Sequence, residues 1–212
     1  MTATDLRILR GGATADPALP LITVDMDGVL SEPLFGWNPT AHGPVSPPDV
    51  VPAPNRMQRW LWPAERVRYV GRRSMPGAPA FLAALAPHFR LLLLTARGRP
   101  SATHSRGWLK RKGLWRYLDG LVFRAGPLIP SYAFKADAVG QLAPAWHVDD
   151  DGRTAVHVAA QTHRPVVLIA WPGNVGQYPE GVFRVADLGA AARFLLSEQR
   201  NSATQSSSSS SG

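Results

Sequence analysis

The stretch "LITVDMDGVL", residues 21–30, sets a short apolar run directly against two aspartates one residue apart, then a glycine and another apolar pair. A run of that length and composition reads as a buried strand, and burying carboxylates is costly unless a cation or hydrogen bonds compensate. The strand therefore has to end where something positive waits. Four further runs of strand length follow: "RLLLLT" from 90, "GLVFR" from 120, "AWHVD" from 145 and "PVVLIA" from 165. None alternates cleanly with polar residues, as expected of strands covered on both faces.

Helical patterns separate most of these runs: "GAPAFLAALAPHF" from 77, "SATHSRGWLKRKG" from 101, "YAFKADAVGQLA" from 132, "RTAVHVAAQT" from 153 and "VADLGAAARFLL" from 185. Alternating strand and helix predicts an α/β fold with a central parallel sheet and right-handed crossovers. Residues 31–75 break the alternation with eight prolines and five aromatics, and are read as an insertion between the first strand and its helix. A short helix is expected within it at 55–62, ended or kinked by Pro63. Residues 1–19 are expected to be a loose leader, and the serine-rich stretch from about 198 to 212 a disordered tail, which leaves a core of residues 20–197.

In open parallel sheets ligands bind beyond the carboxyl ends of the strands, where the strand order reverses. Asp25, Asp27, Thr95, Asp149 and Asp150 all fall at such ends, and Lys135 lies early in the helix before the fourth run. Four carboxylates at one edge repel one another unless cations hold them, which implies Mg²⁺ together with a neutralising ammonium. Taken singly, each signal has a plainer explanation. A D-x-D-G after an apolar run also marks a capped turn or a calcium loop, a Thr before a helix is commonly an N-cap, and a lone lysine is commonly solvated. In "VDDDG", Asp151 competes with Asp150 as the second acid. The order of the four signals along the chain is what favours the joint reading, and it also separates the chain from a receiver domain, in which the acidic pair, the phospho-acceptor, the Thr and the Lys follow in that order.

"DMDGVL", a strand ending in Thr95, Lys135 and "HVDDDG" resemble, in order, the four motifs of the haloacid dehalogenase superfamily over residues 20 to about 172. The resemblance implies a three-layer Rossmann-like core of strand order 5-4-1-2-3 in the order of the runs above, with a small irregular cap formed by the 31–75 insertion. It further implies a phosphatase: Asp25 as the nucleophile that forms an aspartyl-phosphate, Asp27 as general acid and base, Thr95 as a donor to the phosphoryl oxygens and Lys135 as the cation beside them. Asp25, the Asp27 main-chain carbonyl, Asp149 and Asp150 would hold Mg²⁺. Gly28 permits the sharp turn after the pair. The stretch "LTARGRPSATHSRGWLKRKGL" is similar, more loosely, to phosphatase domains of polynucleotide kinase-phosphatases and to deoxyribonucleotidases, which adds Arg97 as a substrate-binding candidate. No kinase P-loop of the form GxxxxGK[ST] accompanies it.

The net charge is +8 and the pI near 10.7, which suits anionic partners. Lysine occurs only at 110, 112 and 135, so the balance is equally the arginine bias of a GC-rich genome. The expected partner is a small phosphorylated substrate, a nucleotide or similar ester. A DNA or RNA end is the alternative, and a binding module without turnover is a third reading. Trp37, Trp60, Trp62 and Tyr69 either pack the insertion or stack on substrate. Arg56, Arg59, Arg66, Arg68, Arg72 and Arg73 either recognise further phosphates or form a solvated basic face. The absence of cysteine excludes disulfides, thiolate nucleophiles and cysteine-ligated metals. No stretch approaches the roughly 20 apolar residues of a membrane span, and a cytoplasmic location is expected. The six histidines, His147 in its buried strand among them, lack metal-site spacing and read as packed or solvent-facing.

Overall fold

A computed structural model describes residues 5–33, 42–44, 71–125 and 129–209 of the 212-residue chain. The strands are β1 (Leu6–Arg10), β2 (Leu21–Asp25), β3 (Arg90–Gly98), β4 (Gly120–Arg124), β5 (Trp146–Asp149), β6 (Val166–Ile169) and β7 (Val182–Val185). The helices are α1 (Ala78–Leu85), α2 (Arg99–Arg111), α3 (Ser131–Leu142), α4 (Gly152–Thr162) and α5 (Leu188–Ser209). They build one seven-stranded sheet of order β1-β4-β3-β2-β5-β6-β7. Its five central strands, β4-β3-β2-β5-β6, carry the expected order and are parallel throughout.

The unbroken apolar runs have the expected cause. Along β3, Leu91 and Leu93 enter one core with Phe81 of α1, Trp108 of α2 and Leu195 of α5. Leu92 and Leu94 enter a second core with Phe134 and Val139 of α3 and Val158 of α4. Successive side chains of a strand point to opposite faces, so a strand packed on both sides needs apolar residues at every position. The molecule is accordingly a three-layer sandwich of helices, sheet and helices.

Three expectations at the edges are corrected. Residues 6–10, assigned to a loose leader, form an antiparallel strand on β4, with Leu6 opposite Arg124 and Arg10 opposite Gly120. The chain after it stays close, Gly11 N–H donating to the Asp119 carbonyl at 2.7 Å. An edge strand buries little, and Ile8 remains 51 % exposed, so its sequence carries almost no burial pattern. At the opposite edge an unexpected strand, β7, pairs in parallel with β6 and takes in Val185, where the last helical pattern was expected to begin. That helix runs to Ser209 instead of ending near 198, with the Ser202 hydroxyl donating to the Glu198 carbonyl and that of Thr204 to Arg200. The expected helix at 55–62 and the aromatics Trp37, Trp60, Trp62 and Tyr69 lie outside the described residues. Among the described residues no helix is long and apolar enough to cross a membrane.

The chain passes from β2 outward through β3 and β4, then returns to build β5, β6 and β7 on the other side of β2. The order reverses between β2 and β5, and the crevice beyond their carboxyl ends is where an open α/β sheet binds its ligand.

Candidate active site

The strand register decides which groups meet at that crevice. Thr23 of β2 lies opposite His147 of β5, and both strands end two residues later, in Asp25 and Asp149. Period-two alternation puts these four side chains on one face, the face covered by α3. Lys135 belongs to the inward stripe of that helix together with Ala138 and Val139, three and four residues on. Its ammonium reaches the strand ends from the side, donating to Asp149 Oδ2 at 2.7 Å and lying 3.0 Å from Asp25 Oδ1.

All three groups are buried, and their environments divide them. Burial raises the Asp25 pKa to about 7, with Asp149 and Asp27 adding to the rise and Lys135 opposing it. For Asp149 burial acts in the same direction but is outweighed by Lys135 and by the His147 hydrogen bond, so its pKa falls below the usual carboxylate range. Main-chain donors contribute as well, the Asp150 and Asp151 N–H groups meeting Asp149 Oδ1 at 2.9 and 3.0 Å. Burial works against the Lys135 ammonium, yet Asp149, Asp25 and Asp150 hold its pKa above the ordinary lysine value.

Asp25, Asp149 and Asp150 each offer a carboxylate oxygen, and these oxygens lie within 4.8 Å of one another. One lysine leaves that buried set with surplus negative charge, and an all-oxygen donor set suits a hard divalent cation such as Mg²⁺. Asp151, the competing acid, is used differently. It occupies the N-cap position of α4, and its carboxylate accepts from Thr154 Oγ1 at 2.6 Å and from the His42 backbone N–H at 3.1 Å.

Asp27 lies beyond the strand, in a turn that Gly28 allows by adopting a φ of +76°. Its carboxylate is gripped from both sides. Arg97 donates Nη2 and Nε to Oδ2 at 2.6 and 3.1 Å, while Arg72 Nη2 meets Oδ1 at 2.5 Å. β3 runs past Thr95, where the strand was expected to end, to Gly98, with its register against β4 shifting between the two; Thr95 is buried there, its Oγ1 accepting a long 3.4 Å bond from the Arg97 N–H. The structure thus gathers Asp25, Lys135, Asp149 and Asp150 into one cluster and ties Arg97 to Asp27. The helix α2 follows directly on Gly98, so the N-cap position is Gly98 and not Thr95.

Several residues at the site lie beyond what the sequence indicated. His147 bridges Thr23 Oγ1 (2.9 Å) and Asp149 Oδ2 (3.0 Å); the carboxylate only accepts, so Nε2 carries the hydrogen. Its signal was the i, i+2 spacing to Asp149 within a buried strand. Arg72, read from the sequence as either a recognition group for further phosphates or part of a solvated basic face, has a side chain only 6 % exposed and pairs with Asp27. The loop after β6 is stitched to the first and fourth motifs: Trp171 Nε1 donates to the Gly28 carbonyl (3.1 Å), and Asn174 Nδ2 to the Asp150 carbonyl (2.8 Å).

No family model matches the sequence, and no curated protein matches it. Solved structures do. A haloacid dehalogenase-like hydrolase family protein, SP0104 from Streptococcus pneumoniae, superposes with TM-score 0.56 at 14% identity, over 83% of this chain and 98% of that one. The D,D-heptose 1.7-bisphosphate phosphatase from B. bronchiseptica, complexed with magnesium and phosphate, gives 0.50 at 17% identity, over 85% and 99%. A chain of the Pnkp1/Rnl/Hen1 RNA repair complex gives 0.52 at 14% identity, over 84% of this chain and 48% of that one. With β2, β3, α3 and β5 carrying the four sequence motifs to one crevice, the chain has the fold of the haloacid dehalogenase-like hydrolases.

Proposed function

We propose that the protein is a Mg²⁺-dependent phosphomonoesterase that works through an aspartyl-phosphate on Asp25. The observation that carries this reading is Lys135 bridging Asp25 and Asp149 inside a buried carboxylate cluster, with Asp27 two residues beyond the nucleophile. Asp25, Asp149, Asp150 and the Asp27 main-chain carbonyl would hold the cation. When bound, Mg²⁺ supplies the charge that favours ionised Asp25 and offsets the phosphoryl oxygens.

Asp25 Oδ attacks phosphorus, the bond to the leaving oxygen breaks, and Asp27 gives that oxygen its proton. Water then attacks the aspartyl-phosphate, Asp27 takes up a proton from it, and phosphate leaves with Asp25 regenerated. Thr95 donates to the phosphoryl oxygens and Lys135 stabilises their charge throughout. Burial helps here, because the same charges interact more strongly away from water.

The substrate is a nucleotide or another small phosphate ester. The net charge of +8 favours as a second reading an end phosphatase on DNA or RNA, for which affinity falls steeply with salt as counterions are released. The deciding test is hydrolysis of p-nitrophenyl phosphate by the wild type and Asp25→Asn, each with Mg²⁺ and with EDTA. Metal-dependent turnover that the substitution abolishes is the expected result. Equal rates in the two proteins would remove Asp25 from its role, and metal binding without turnover would favour a binding module.

A further inference from the structure

Arg72 and Arg97 come from unrelated parts of the chain, the end of the 31–75 insertion and the end of β3, yet converge on one carboxylate. Both are well buried, with side chains 6 % and 11 % exposed. Arg72 is built in at three points. Its Nε donates to the Glu32 carbonyl at 2.8 Å, its Nη2 meets Asp27, and its own carbonyl accepts from Trp108 Nε1 at 3.1 Å. A guanidinium carries five donors in a rigid fork matched to carboxylate and phosphate, and these contacts leave the Arg72 fork with capacity for another acceptor.

The location of the pair gives it meaning. The transferred phosphoryl group belongs to Asp25, Lys135 and Thr95. Asp27 acts instead on the leaving oxygen, so groups fastened to Asp27 lie on the side of the alcohol half of the substrate. We propose that Arg72 and Arg97 form a receptor for a second anionic group on that half, and that the preferred substrate is a phosphomonoester whose alcohol carries another phosphate or a carboxylate. The Asp27 carboxylate stands in for that anion in the resting protein. An incoming anion that takes over guanidinium donors releases Asp27 towards the leaving oxygen, which links recognition to proton delivery. The inference rests on the phosphomonoesterase reading.

The test compares three esters of similar size: glycerol 3-phosphate, whose alcohol half is neutral, 3-phosphoglycerate, which adds a carboxylate, and 1,3-propanediol bisphosphate, which adds a phosphate. Wild type, Arg72→Gln and Arg72→Lys are compared by kcat/KM. The expected wild-type preference for at least one doubly anionic ester over the neutral one is about tenfold or more, the scale of a charge-assisted bidentate contact. That ratio falls towards one in Arg72→Gln, mainly through KM, and is only partly retained in Arg72→Lys, which keeps charge but loses the fork. Which ester leads distinguishes carboxylate from phosphate. Equal wild-type rates on all three esters overturn the proposal, as does an Arg72→Gln variant that loses all three in proportion, since the arginine then serves the transferred phosphoryl group. Calorimetric binding of the same compounds to Asp25→Asn reads the same ratio without turnover. A binding preference lost in Asp25→Asn/Arg72→Gln upholds the arginine receptor even if the wild type hydrolyses nothing, whereas equal binding of all three overturns it whatever the chemistry.

Discussion

Replacing Lys135 by Met removes the cation from the buried cluster and leaves its carboxylates facing one another. The ammonium is 4 % exposed, and its partners Asp149 and Asp25 are 0 % and 8 % exposed, at 2.7 and 3.0 Å. Breaking a buried ion pair by deleting one member costs about 3–5 kcal/mol, because the remaining charge stays desolvated. At about 2–4 °C per kcal/mol for a chain of this size, the midpoint of thermal unfolding falls by roughly 10 °C. The assay is calorimetric or urea unfolding in EDTA at pH 7.5, repeated at pH 5. Asp25 has a folded pKa of about 7 against 3.8 unfolded, so the folded state binds the extra proton, and the associated stability is lost as pH rises through that window. Without Lys135, whose influence on Asp25 is to lower its pKa, the carboxyl takes up its proton at still higher pH. The deficit of the variant therefore narrows at pH 5, and Mg²⁺ restores part of it at pH 7.5. A variant within about 1 kcal/mol of wild type in EDTA at pH 7.5, or a gap that widens at pH 5, would refute the account.

Other consequences are as direct. With Asp25 half protonated near pH 7, Mg²⁺ binding at pH 6.5 expels protons, so calorimetric enthalpies differ between buffers of different ionisation heat and converge above pH 8. Thr23→Val removes the hydroxyl partner of His147 Nδ1 in a fully buried site and lowers stability by about 1–3 kcal/mol in denaturant titrations. Gly152→Ala puts a methyl group against the Tyr178 hydroxyl and 2.5 Å from the His42 main-chain carbonyl, and the overpacking lowers the unfolding free energy in denaturant titrations by about 1–3 kcal/mol.

The parts of the fold that the sequence announced are those packed on two sides. β3 is apolar at four consecutive positions, Leu91 to Leu94, because each faces a core, and Lys135 was legible because a lone lysine preceded an acidic strand end. β1 and β7 were hidden because edge strands need satisfy only one neighbour and can leave Ile8 and Phe183 exposed. Pairings between distant segments were equally hidden. Nothing near residue 72 in the sequence points to Asp27, and Asn174 gives no sign that it will hold the Asp150 carbonyl. His147 was visible as a buried residue, but its bond to Thr23 exists only because β2 and β5 are neighbours in that register.

The two ends of the 31–75 insertion meet. Ser31 bridges Ser74, the Glu32 N–H donates to the Arg73 carbonyl and the Met75 N–H to that of Leu30. A segment whose ends already touch is closed on itself at that stitch, and residues 42–44 fasten it to the domain a second time, the His42 N–H donating to Asp151 and its carbonyl accepting from the Gly152 N–H. Lengthening, trimming or exchanging it changes the closure entropy by only about 0.6 kcal/mol per doubling of length. Exchanging the chain between residues 44 and 71, with the His42 contacts to Asp151 and Gly152 kept, would therefore leave the sheet and its carboxylates in place. It would also leave Arg72 anchored on the stitched side, which makes this segment the natural unit for grafting a new substrate preference onto an unchanged catalytic edge.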